Sequence, residues 1–69
     1  NNKLDEVRLS HREIEVLSLI AKGLKRYEVA CNLMISNGTV KTHLQNIYKK
    51  LGVSGKVSAI KAAQMHGII

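Results

Sequence analysis

Lys41, Thr42 and Gln45 place an ammonium, a hydroxyl with its methyl, and a carboxamide at spacings of one and three residues. On a helical period of about 3.6 residues the three share one flank. Their common chemistry is directional hydrogen bonding: the ammonium donates, the carboxamide both donates and accepts, and the threonine methyl offers apolar contact. Around them stand Ser36, Thr39, Asn46, Lys49 and Lys50, with Arg26 further upstream, all side chains that suit anionic oxygens. Other reactive residues form no constellation. His11, His43 and His66 show no metal-ligand spacing with one another or with Cys31. No glycine-rich phosphate loop is present, and no carboxylates are paired for acid–base work. No catalytic residue, metal or cofactor is therefore read from the sequence, and an enzyme is not expected.

Charge distribution sharpens this reading. The 69 residues carry a formal net charge of +6, and all five acids (Asp5, Glu6, Glu13, Glu15 and Glu28) lie in the first 28 positions. From there to the end no acid follows, while Lys41, Lys49, Lys50, Lys56 and Lys61 all fall in that stretch. A basic balance alone says little, but a uniformly cationic half is suited to a polyanion. Phe and Trp are absent, and Tyr27 and Tyr48 are the only aromatics. That argues against single-stranded nucleic acid, whose sites stack bases on aromatic platforms. Cys31 is the sole cysteine, so no intrachain disulfide can form, which fits a reducing cytoplasm. No apolar run approaches the ~20 residues that span a bilayer, and no membrane partner is expected. The chain opens on Asn1 rather than Met. That fits a piece cut from a longer protein without deciding it against a stand-alone chain; residues 1–8 are expected to be the end of a linker or a flexible N-terminal segment, and residues 9–69 one domain.

Four helices are expected to position these groups, in an all-α bundle without strands. Ser10 and Glu13 form a capping box ahead of the first helix, with Leu9 and Ile14 as its hydrophobic staple. Ile14, Leu17, Ile20 and Ala21 recur at helical spacing, and Gly23 is placed to end the run. The second helix is short, from Arg26 to about Met34, with Val29, Ala30 and Leu33 facing inward. Its start is poorly capped, because Lys25 stands where Ser, Thr or Asp is preferred. Ser36 caps the third helix, whose Val40, Leu44, Ile47 and Leu51 form a core stripe, and Gly52 stops it. The fourth begins near Ser54 to Lys56, buries Ala59, Ile60 and Ala63, and ends at Gly67. Val57, Lys61 and Gln64 fall on another side of it.

Between Leu33 and Ser36 only Met34 and Ile35 intervene. So short a connection makes the two helices cross steeply, with Ile35 plugging the angle and Ala30 allowing close approach. This is the geometry of a helix-turn-helix, in which the first helix braces and the second projects. A projecting helix fits the major groove, about 12 Å wide. There Lys41 can donate to guanine O6 or N7, Gln45 can pair with adenine N6 and N7, and the Thr42 methyl can meet a thymine methyl. Ser36, Thr39, Asn46, Lys49 and Lys50 suit the flanking phosphates.

At these residues the chain resembles the LuxR/FixJ family of bacterial transcription regulators, the GerE-like helix-turn-helix domains. The similarity runs over Leu9 to Ile69, through L-S-H-R-E-I-E-V-L-S-L-I-A-K-G and then Y-E-V-A-C-N-L-M-I-S-N-G-T-V-K-T-H-L-Q-N-I-Y-K-K-L-G-V. The resemblance implies a four-helix DNA-binding domain, usually the C-terminal output part of a response regulator or ligand-sensing regulator. It implies base contacts at Lys41, Thr42 and Gln45. It also implies a homodimer through the fourth helix at Val57, Lys61 and Gln64, formed on near-palindromic double-stranded DNA even where the free domain is monomeric. RNA polymerase is a further partner expected of such a regulator. Two departures stand out. Lys25, Arg26 and Tyr27 replace a polar triplet common in the family, so phosphate contact there would rest on charge, and Lys56 stands where Arg is common.

Plainer readings accompany each of these. The Val40 stripe is core whatever the function. Lys49 and Lys50 also suit the negative end of a helix dipole. His43 is expected to pack against the helix pair, and Cys31 to be a small filler or half-exposed thiol. The same lysines would serve an alternative of another class, a small basic helical module that binds an acidic protein partner.

Overall fold

The computed structural model describes residues 8–69; of the linker expected over residues 1–8, all but Arg8 lies outside them. Four helices follow in order: α1 (His11–Ala21), α2 (Arg26–Leu33), α3 (Asn37–Leu51) and α4 (Lys56–Met65), with no strand among the described residues. The expected all-α class and helix-turn-helix are thus present.

Local chemistry sets where each helix starts. At α1 the capping box forms in full: the Glu13 N–H donates to Ser10 Oγ at 3.1 Å, and the Ser10 N–H donates to Glu13 Oε1 at 2.8 Å. At α3 the Thr39 N–H donates to Ser36 Oγ at 3.0 Å, and the two hydroxyls lie 2.8 Å apart. Lys25 offers α2 no side-chain cap, as expected, but Glu28 supplies half of a box by accepting the Lys25 N–H at 2.7 Å. Gly55 begins α4 without a side-chain cap.

All four helices end in one motif. The last turn closes with Leu24 N–H to the Leu19 carbonyl, Ile35 to Ala30, Val53 to Tyr48 and Ile68 to Ala63. Each is the outer bond of a Schellman pair, and the inner bonds are also made. The residue between must be left-handed. Gly23, Gly52 and Gly67 adopt it freely, whereas at the end of α2 the position falls to Met34, at φ 59°. That is why α2 stops at Leu33 and not at Met34. The four residues that follow these left-handed positions, Leu24, Ile35, Val53 and Ile68, all pack onto the core. Each helix is therefore turned and anchored in the same step.

The core is aliphatic. Val16, Leu17, Val29, Val40, Ile47, Ala59 and Ala63 are fully buried, with Ile20, Ala30 and Leu44 nearly so. Each large aliphatic side chain so buried contributes about 1.5–3 kcal/mol. Helix α3 packs against all three others, α1 also touches α2 and α4, and α2 and α4 do not meet. Some expected core positions shift by a fraction of a turn. Ala21 is exposed and Ile14 half-buried, while Val16 takes the buried place on α1. Leu33 and Ile60 are half-buried. The cause is that α1 faces α3 and α4 as well as α2, so its buried arc centres on Val16, Leu17 and Ile20.

Candidate nucleic-acid interface

Helix α3 divides along its length. Val40, Leu44 and Ile47 are buried, and His43, Tyr48 and Leu51 half-buried. Asn37, Gly38, Thr39, Lys41, Thr42, Gln45, Asn46, Lys49 and Lys50 are exposed. The brace is the turn at Met34–Ile35: Ile35 sits half-buried on the core while Met34 faces solvent. The connection leaves no slack, so the outer flank of α3 is held at a fixed angle to α2.

The structure brings Lys41, Thr42 and Gln45 together on that outer flank and occludes none of them. The Thr42 hydroxyl donates to the Gly38 carbonyl at 3.1 Å, so its proton is spent inside the helix and the methyl is the group left for apolar contact. Lys41, Gln45, Asn46, Lys49 and Arg26 make no side-chain hydrogen bond or ion pair with another described residue. Ser36 and Thr39 sit at the start of α3, where the unpaired N–H groups of the first turn add positive potential. Arg26 opens α2, beside Lys25. Two cations at the positive end of a helix dipole are unfavourable for the helix itself by a few tenths of a kcal/mol.

Lys50 has a different setting. Its Nζ donates to Glu13 Oε1 at 2.9 Å, bridging the end of α3 to the start of α1. Glu13 is the one buried charged side chain among the described residues, at 4% exposure. Burial alone would raise its pKa, but the Lys50 ammonium and the Ser10 N–H outweigh that and hold the carboxyl below its ordinary value. Sequence reading recognised Glu13 as a cap and Lys50 as a phosphate contact, but not their pairing. No local pattern signals a contact across 37 residues.

The other two acids among the described residues are engaged on α1 and α2. Glu15 pairs with Arg12 at 3.4 Å and lies 3.6 Å from His11, both on α1, and Glu28 is taken up at the start of α2. Cys31 is exposed on α2, so it fills no gap in the core. Val57, Lys61 and Gln64 line one exposed face of α4, with Val57 63% exposed. Among the described residues no group of three or more His, Cys, Asp or Glu could hold a metal, and no helix is long and apolar enough to cross a membrane.

Known proteins share this fold. Residues 7–63 match the family described as bacterial regulatory proteins, luxR family. The chain is 42% identical over 65 residues to the transcriptional regulatory protein YdfI of Bacillus subtilis, covering 94% of this chain and 30% of that protein. It is 44% identical over 61 residues to the response regulator protein VraR of Staphylococcus aureus, covering 88% and 29%. Among solved structures, the response regulator ChrA of a heme-sensing two-component system superposes with a TM-score of 0.88 at 47% identity, over 93% of this chain and 32% of that one. The transcription factor GerE superposes with a TM-score of 0.84 at 35% identity, over 87% of this chain and 90% of that one. The chain thus spans under a third of YdfI, VraR and ChrA but nearly all of GerE. The family is one of transcription regulators and not an enzyme class. By family match, identity and backbone alike, the chain belongs to the luxR family of bacterial regulatory proteins and is its DNA-binding helix-turn-helix domain.

Proposed function

We propose that this domain binds double-stranded DNA with sequence preference by inserting α3 into the major groove. Lys41, Thr42 and Gln45 read base edges, and Ser36, Thr39, Asn46, Lys49 and Arg26 hold phosphates. Lys50 reaches a phosphate only by sharing or leaving Glu13. The observation that supports this most directly is the outer flank of α3: an acid-free row on which Lys41, Gln45, Asn46 and Lys49 are exposed and have no side-chain partner among the described residues, on a helix whose other side is pinned in the core. A helix is about 10–12 Å across, which matches the groove.

The domain is residues 9–69, with residues 1–8 the end of a linker. It serves as the C-terminal output domain of a longer cytoplasmic regulator with a receiver or ligand-sensing partner domain, by analogy with the relatives of which it spans under a third. Two copies pair through Val57, Lys61 and Gln64 of α4 on a near-palindromic operator, their half-sites about 10 bp apart. RNA polymerase is the partner such an operator complex would engage.

Selection of bound sequences from a random duplex pool, followed by binding isotherms over a range of salt, tests the reading. Lys41→Ala and Gln45→Ala should each cost about 1–3 kcal/mol on the selected site and relax base choice. Lys49→Ala should weaken every duplex alike and lower the salt slope by about one. Salt-insensitive binding overturns the proposal. If random duplex fails to shift even at low salt, the basic face is left to an acidic protein partner.

A further inference from the structure

We infer that Gly38 is a clearance residue: its missing side chain lets the first turn of α3 approach the duplex closely, and it thereby sets how deeply Lys41, Thr42 and Gln45 reach. The inference rests on the DNA reading above and adds a residue to it. Three of the five glycines end helices in the left-handed region, and Gly55 sits at the start of α4 in an extended conformation that a capping glycine commonly takes. Gly38 alone lies within a helix, as the second residue of α3. A glycine there lowers helix stability relative to alanine, because more backbone freedom is lost on folding.

The fold offers no return for that loss. A Cβ built on Gly38 would meet only the Ser36 Oγ, at 3.9 Å, which is ordinary contact, and the position is exposed. Alanine would fit among the described residues, and the place of Gly38 on the helix points to the duplex as the reason for glycine. Gly38, Thr42 and Gln45 succeed one another at spacings of four and three along the outer flank, and the Gly38 carbonyl accepts the Thr42 hydroxyl. In helix-turn-helix docking the N-terminal part of the second helix goes deepest. Removing a Cβ at that point recedes the surface by about 1.5 Å, one carbon–carbon bond. A side chain there would lift the helix and lengthen the hydrogen bonds of all three readers at once.

The experiment uses the whole 69-residue chain, a duplex selected by the unsubstituted protein, and a random duplex of equal length. Gly38→Ala and Gly38→Leu are compared by thermal unfolding and by binding isotherms. Gly38→Ala should raise the melting temperature yet weaken binding to the selected duplex by about tenfold or more, the scale of one lost base contact. Gly38→Leu should weaken it further, and both should bind random duplex with nearly unchanged salt dependence. A more stable Gly38→Ala with undiminished affinity for the selected duplex overturns the inference. So does a Gly38→Ala that melts lower, since the glycine would then serve the fold. Failure of the DNA reading itself is distinct: the unsubstituted chain would then select no duplex at all.

Discussion

The ion pair between Lys50 and Glu13 offers the most exacting test of how this small fold is held. Lys50→Met keeps most of the aliphatic stem and removes the ammonium. It leaves Glu13 with a single strong donor, the Ser10 N–H at 2.8 Å, in a site only 4% exposed. A hydrogen bond to a charged group contributes about 1.5–3 kcal/mol. The Lys50 side chain is 43% exposed, so water screens the pair and reduces this to about 1–2 kcal/mol. For a domain of this size that corresponds to a fall in melting temperature of roughly 5–15 °C. Glu13→Gln keeps an acceptor for Ser10 but loses the charge, and costs about 1 kcal/mol. Because both substitutions break the same contact, the double variant should be more stable than the sum of the singles implies, with a coupling of about 1 kcal/mol. Circular dichroism during thermal and urea unfolding reads all four proteins. The pH dependence adds a signed check. The folded carboxyl titrates below its ordinary value, so the pair's contribution is fully present above the unfolded pKa, about 4.3. It is lost as pH falls through the lower folded value. Acidification should therefore erase most of the difference between the original chain and Glu13→Gln. Additive single costs at neutral pH, or a difference that survives in acid, would refute the argument.

Three further outcomes follow from the geometry. Met34→Gly should stabilise the domain by about 1 kcal/mol in urea unfolding, because the left-handed backbone is strained for methionine and its side chain, 90% exposed, packs on nothing that would be lost. Ile47→Ala should cost about 2–5 kcal/mol, since the side chain is fully buried where α3 meets the core, and unfolding at ambient temperature should become measurable by the same assay. Ser36→Ala should lose about 1 kcal/mol of stability by removing the acceptor of the Thr39 N–H, and should weaken DNA binding more than Ser10→Ala, which removes a similar cap on α1 instead of α3.

Much of this architecture was legible in the order of residues, because the interactions that set it reach only three to five positions. Ser10 with Glu13 and Ser36 with Thr39 fix two helix starts, and Gly23, Gly52 and Gly67 fix three ends. The Val40–Leu44–Ile47 stripe fixed which flank of α3 turns inward, and with it which flank is free to meet a ligand. Acid-free composition after Glu28 gave that flank its sign. The remainder waited on the packing of one helix against another. Val16 and not Ala21 is buried because α1 must serve three neighbours, which no single period encodes. Met34 takes a glycine's conformation because the Ile35 N–H must reach the Ala30 carbonyl while Ile35 packs on the core. Lys50 meets Glu13 only where the end of α3 crosses the start of α1, and there a cation that looks like a phosphate contact also closes the fold.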